Sequence, residues 1–84
     1  MRRPLRFVYV LQSLARPERH YTGLTSDLPR RLAIHNSGGS KHTAADRPWA
    51  LLAAIEFSRE SSALRFEKYL KSGSGRAFAK RHFV

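Results

Sequence analysis

Four places along this chain carry side chains whose types and spacing suit phosphate chemistry: Tyr21-Thr22-Gly23, Arg31, His35 and Glu67. At about 3.6 residues per helical turn, Arg31 and His35 fall on one face with Leu28 and Leu32, and Glu67 falls on a stripe with Ala63, Phe66 and Leu70. Ionisable groups on core-facing stripes need partners, because buried charge is costly unless it is paired or metal-bound. Arginine offers a planar fork of N–H donors that matches phosphate oxygens, so a fixed Arg31 would stabilise charge developing on a scissile phosphate. His35, with an ordinary pKa near neutrality, would donate to that phosphate or take a proton from water. Glu67 would hold Mg²⁺, which keeps several waters and often takes a single protein carboxylate beside substrate phosphate oxygens. The combination reads as a small phosphodiesterase.

Each of these residues also has a structural reading. Glu67 at the edge of its stripe would pair with a nearby Lys or Arg. Arg31 would lay its stem on apolar surface and send its head to water, beside an ordinary helix-edge His35. Tyr9 and Tyr21, on neighbouring strands, would be core residues with satisfied hydroxyls. If those hydroxyls converge instead, positive charge from Arg31 would lower a tyrosine pKa that otherwise lies near about 10. Lys41, His42 and Arg47, in a glycine-bounded loop, either grip a nucleic-acid backbone or form a solvated face, and Arg76, Lys80 and Arg81 would extend that surface.

The elements that must position these groups follow from local pattern. Phe7 to Leu11 is β-branched and aromatic, apolar on both faces, and predicts a central strand. Pro17 lies in a polar loop, and His20 to Thr25 predicts a second strand in an antiparallel hairpin, with Gly23 marking a close backbone approach or a bulge. Ser26 or Asp27 supplies an N-cap, Pro29 fits the first turn, and the helix should run to about Ser37 and stop at Gly38-Gly39. Residues 38 to 48 form a loop. Trp49 to Phe57 is almost wholly apolar and predicts a buried strand. Ser61 or Ser62 caps a helix that reaches Lys71 and ends at Gly73, Gly73-Ser74-Gly75 reads as a helix stop, and Arg76 to His82 predicts a short basic helix. The order β-β-α-β-α-α implies an α/β domain with a mostly antiparallel three-stranded sheet flanked by helices.

Composition sets the outer bounds. The 84 residues, 42% hydrophobic, suffice for one domain, residues 1–84, with one core. Sixteen Lys and Arg against 6 Asp and Glu give a net charge of +10, which favours a polyanion, nucleic acid before an anionic membrane surface. The bland alternative is a merely soluble, highly charged domain. Cysteine is absent, so neither a disulfide framework nor a thiolate metal site is expected. The apolar run after Met1-Arg2-Arg3 is shorter than a signal-peptide core, and no stretch approaches a membrane span, so a cytoplasmic, soluble chain is expected.

Taken together, Phe7-Val8-Tyr9, Tyr21-Thr22-Gly23, Asp27-Leu28-Pro29-Arg30-Arg31-Leu32, His35-Asn36-Ser37-Gly38, Arg47-Pro48-Trp49 and the run from Phe66 to Gly73 resemble the GIY-YIG nuclease family, in particular its small single-domain, YhbQ-like (UPF0213-type) members. The resemblance spans nearly the whole chain. It implies metal-dependent endonucleolytic hydrolysis of nucleic-acid phosphodiesters, DNA before RNA, of the DNA repair or processing type, with Mg²⁺ or Mn²⁺ as cofactor. On that resemblance Tyr21 is the general base or water-orienting group and Tyr9 helps place the nucleophile. Arg31 stabilises the phosphate, His35 assists proton transfer or touches the phosphate, and Glu67 holds the metal.

Phe7 stands where the first motif of the family opens with glycine, and Thr22 where the second usually has isoleucine. No asparagine follows Glu67, where many family nucleases carry one that supports the site. A second reading is therefore a non-catalytic basic DNA- or RNA-binding module of the same fold, and a third a ribonucleoprotein component. A domain this small would draw sequence specificity from a protein partner or have little of it.

Overall fold

The computed structural model describes residues 2–83. Strand β1 (Phe7–Ser13) lies at the centre of a three-stranded antiparallel sheet, between β2 (His20–Thr25) and β3 (Trp49–Glu56). Helix α1 (Leu28–Ser37) follows β2, and α2 (Glu60–Leu70) and α3 (Gly73–His82) follow β3. The expected α/β architecture and element order are present.

Because β1 is apolar on both faces, it divides the core in two. Val8 and Val10 face α2 and α3, where they bury Ala63 and Leu70 beneath a rim that includes Phe66 and Phe78. Tyr9 and Leu11 face the opposite way, towards Trp49, Tyr21 and the α1 residues Leu28 and Leu32. Each large side chain so buried contributes about 1.5–3 kcal/mol. The site residues of α1 thus belong to one layer and Glu67 of α2 to the other.

Trp49 joins the β1–α1 layer because of a register shift. Val10 pairs with Ala53 and Leu11 with Leu51, so β3 carries one extra residue, Leu52, at that point. A one-residue slip exchanges the two faces of a strand. Without it Trp49 would turn towards α2; with it Trp49 sits opposite Ser13 on the face that carries Tyr9 and Leu11.

Helix α1 is bounded by local chemistry. Asp27 is the N-cap, its carboxylate accepting from the Arg30 N–H at 3.1 Å, and Pro29 lies in the first turn. Gly38 closes the helix with φ 84°, and the Arg47 guanidinium lies where a side chain at Gly38 would be. Two boundaries and the burial of one strand differ from expectation. Helix α2 begins at Glu60 with Arg59 at the N-cap position, so Ser61 and Ser62 lie inside its first turn. Residues 73–75 open α3 rather than stopping a helix: Ser72 caps it by accepting from the Gly75 N–H, and any Cβ on Gly75 would strike the Tyr69 carbonyl. Strand β3 is an edge strand, with Leu51 41% exposed, rather than a buried one.

Candidate active site

The site is built around Tyr9. In the sheet Tyr9 stands opposite Gly23, and its ring crosses over that glycine. A Cβ on Gly23 would lie 2.5 Å from the Tyr9 hydroxyl oxygen and 2.7 Å from Cζ, so the position tolerates no side chain while Tyr9 holds this path. Beyond Gly23 the hydroxyl meets His35, at 2.8 Å from Nε2. The other ring nitrogen, Nδ1, lies 2.7 Å from Thr43 Oγ1. Tyr9, His35 and Thr43 are all fully buried. Tyr21 completes an aromatic group, its ring centroid 5.0 Å from that of His35 and 6.3 Å from that of Tyr9.

Burial raises the Tyr9 pKa above its ordinary 10.0, the Arg31 guanidinium beside it pulls the other way, and the charges of Tyr21 and Glu67 add to the rise. Burial, seconded by Arg31, lowers the His35 pKa below 6.5. Near neutrality the pair is therefore a neutral phenol against a neutral imidazole. A neutral imidazole has one donor and one acceptor nitrogen. When Nδ1–H donates to Thr43, Nε2 is left to accept the Tyr9 O–H.

Glu67 and Arg31 are both near enough to bear on the Tyr9 hydroxyl, although they come from opposite layers of the fold. Arg31 is half-buried and lines a depression of about 240 Å³ with Arg3, Asp27 and Arg30. Glu67 is half-buried as well, and Lys71, one turn on, pairs with its Oε2. That is the structural partner weighed for Glu67 above. Its Oε1 accepts no hydrogen bond among the described residues, and no cluster of three or more His, Cys, Asp or Glu side chains is present there. A single hard carboxylate oxygen left without a partner suits a hydrated Mg²⁺ or Mn²⁺ and suits no softer or more fully protein-ligated metal.

Lys41 and His42 are exposed in the loop before Thr43 and therefore flank the site. Arg47 is exposed too, and its guanidinium covers the C-terminal end of α1. Arg76 and Lys80 do not extend this surface. They belong to α3, which packs on the opposite face of the sheet.

Thr43 and Asn36 have no role in the sequence reading. Asn36 Oδ1 accepts from the Trp49 N–H at 2.6 Å and its Nδ2 donates to the Trp49 carbonyl at 3.1 Å. Trp49 Nε1 in turn donates to the Thr43 carbonyl at 2.8 Å. This chain of contacts fixes the loop so that the Thr43 hydroxyl meets His35. A polar pair at His35-Asn36 was the available signal, since on a helix such neighbours point to different partners.

A sequence profile of the GIY-YIG catalytic domain matches residues 6–81. The chain belongs to the GIY-YIG family. Among relatives, a UPF0213 protein of Streptococcus pneumoniae is 44% identical over 66 residues, which cover 77% of this chain and 65% of that protein. A UPF0213 protein of Lactococcus lactis subsp. cremoris is 42% identical over a segment of the same length and coverage. The structure-specific endonuclease subunit SLX1 of Scheffersomyces stipitis is 45% identical over 67 residues, 71% of this chain and 20% of that protein. This GIY-YIG chain thus spans just under two thirds of the UPF0213 relatives and a fifth of the SLX1 subunit. No helix among the described residues is long and apolar enough to cross a membrane.

Proposed function

We propose that the chain, as one GIY-YIG domain over residues 1–84, is a metal-dependent endonuclease that hydrolyses phosphodiester bonds of DNA, in repair or processing in the cytoplasm. The observation that carries this reading is the buried hydrogen bond between Tyr9 and His35, with Arg31 beside it. Membership of a catalytic-domain family and likeness to subunits named structure-specific endonucleases support it. SLX1 is named as a subunit, which fits specificity drawn from a protein partner.

A water brought to the Tyr9 hydroxyl with the substrate would lose a proton to the Tyr9 oxygen as the Tyr9 proton passes to His35 Nε2, so the raised tyrosine pKa does not have to be overcome by full ionisation. In this reading Tyr9 is the base and Tyr21 orients the water, the second of the two roles the family resemblance implies for Tyr21. The resulting hydroxide attacks phosphorus, and Arg31 stabilises the charge that builds on the non-bridging oxygens. The P–O bond to the leaving sugar oxygen breaks as that oxygen takes a proton from solvent, to which His35 later returns the proton it received. With Thr43 Oγ1 accepting from Nδ1–H, the imidazole is in the tautomer that keeps Nε2 free to accept. Glu67 would hold Mg²⁺ or Mn²⁺, which would supply charge neutralisation at the phosphate. Lys41, His42 and Arg47 would contact the backbone of the substrate.

The test is cleavage of supercoiled plasmid and of branched DNA with Mg²⁺, with Mn²⁺ and with EDTA. Tyr9→Phe, Arg31→Ala and Glu67→Ala should each lower single-turnover cleavage by about a hundredfold or more while the thermal transition persists. Variants that cut like the parent would reject these roles. Binding without cutting by the parent would favour the non-catalytic module.

A further inference from the structure

A groove of about 660 Å³ runs between β2 and the α2–α3 pair, on the side of the sheet away from His35. Its floor is apolar, formed by Val10, Leu70 and Ala79, and its walls carry Lys71, Arg76 and Lys80. It opens because α3 packs chiefly on α2, drawn in by Gly75 against Tyr69 and Leu70, and stands away from β2.

Lys71 is paired with Glu67, but Arg76 and Lys80 are uncompensated. Arg76 and Lys80 lie one turn apart on α3, an arrangement of like charges that weakens a helix. Helix α3 holds no acidic residue, and neither side chain enters an ion pair among the described residues. Two exposed cations beside an apolar floor complement a ligand that joins anionic groups to a flat, apolar ring. A nucleotide has that form, and the volume lies within the range of about 300–1,000 Å³ typical of small-ligand sites. A base can lie on such a floor only when it is unstacked and unpaired.

The groove also touches the candidate active site. Tyr21 lines it and packs against His35, and Lys71 lines it and pairs with Glu67. We propose that the groove takes one unpaired nucleotide of the DNA substrate beside the scissile phosphate, its base on Val10, Leu70 and Ala79 and its phosphates on Arg76 and Lys80. The place beside the scissile bond rests on the nuclease reading; the binding rests on shape and charge.

The experiment measures anisotropy of a labelled fork with unpaired arms and of a fully paired duplex of equal length, both in EDTA. The parent should bind the fork more tightly. Arg76→Ala/Lys80→Ala, with an unchanged melting temperature, should lose about tenfold or more in fork affinity and much less on duplex. Its log–log salt slope on the fork should be shallower by about 1.4, the loss of two single-strand phosphate contacts. Arg76→Lys/Lys80→Arg should retain fork preference. Equal losses on both substrates, or a parent with no fork preference, would overturn the proposal. Because binding is read without metal, the two readings can fail separately. Fork preference through these cations with no cleavage in Mg²⁺ or Mn²⁺ would sink the nuclease and keep the groove, whereas cleavage with unchanged fork affinity in the alanine variant would do the reverse.

Discussion

His35 is enclosed between Tyr9 and Thr43, and burial is the main reason that its pKa falls below 6.5. In the unfolded chain the same imidazole is exposed and takes its proton at the ordinary value. As pH drops below about 6.5 the unfolded state therefore binds more protons than the folded one, and stability that is complete above that pH declines beneath it. The melting temperature should accordingly be flat just above neutrality and fall through the window below about pH 6.5, and His35→Gln should lower it at neutral pH but remove most of the acid decline. An acid decline as steep in the variant as in the parent would show that His35 is not held neutral. The same shift keeps Nε2 able to accept a proton at mildly acid pH, so the acid limb of cleavage should lie below the ordinary histidine range.

Between elements, the contact that sets the site is the Asn36 side chain on the Trp49 backbone, which ties α1 to the first residue of β3. Asn36→Ala leaves a donor and an acceptor of Trp49 without partners, at a cost of about 1–3 kcal/mol. The urea midpoint should fall accordingly, and cleavage should fall further than stability explains, because Trp49 positions Thr43 against His35; a cleavage rate unchanged from the parent would uncouple the clamp from the site. How far the sequence foretells these elements follows the range of the interactions that make them. Helix α1 was readable to its caps because Asp27, Pro29 and Gly38 act within one turn, and the face shared by Arg31 and His35 follows from helical period alone. The opening of α3 at Gly73 was misread, since glycine ends helices far more often than it starts them, and the demand for Gly75 arises from α2. Thr43 was invisible because its meeting with His35 depends on a loop path and on the register shift that turns Trp49. The role of Tyr9 was half visible: its strand and face were legible, but the ring's crossing of Gly23 to reach His35 is a tertiary contact.

Across the whole molecule, charge is distributed unevenly. Six basic residues are paired with acids: Arg2, Arg3, Arg6, Arg16, Arg19 and Lys71. The other ten of the 16 have no acidic partner among the described residues, and they include Arg30, Arg31, Lys41 and Arg47 around α1 and its loop as well as Arg76 and Lys80 on α3. Pairs near the N-terminal segment fasten it to the fold, as Arg2 and the Leu5 N–H do on Glu60, whose carboxyl they hold below its usual range. The unpaired cations are the ones left to meet a polyanion. If three or four of them contact duplex phosphates, affinity should fall with added salt along a log–log slope of about −3. Chelating the proposed metal should leave that slope in place, because the cations provide it, and should abolish cleavage, because a metal on Glu67 would supply charge neutralisation at the phosphate that Arg31 alone does not replace. A salt slope near zero would remove nucleic acid as the counterpart of this surface. A slope that collapses in EDTA would mean that the metal bridges protein and DNA during binding, and Glu67 would then be a binding residue before it is a catalytic one.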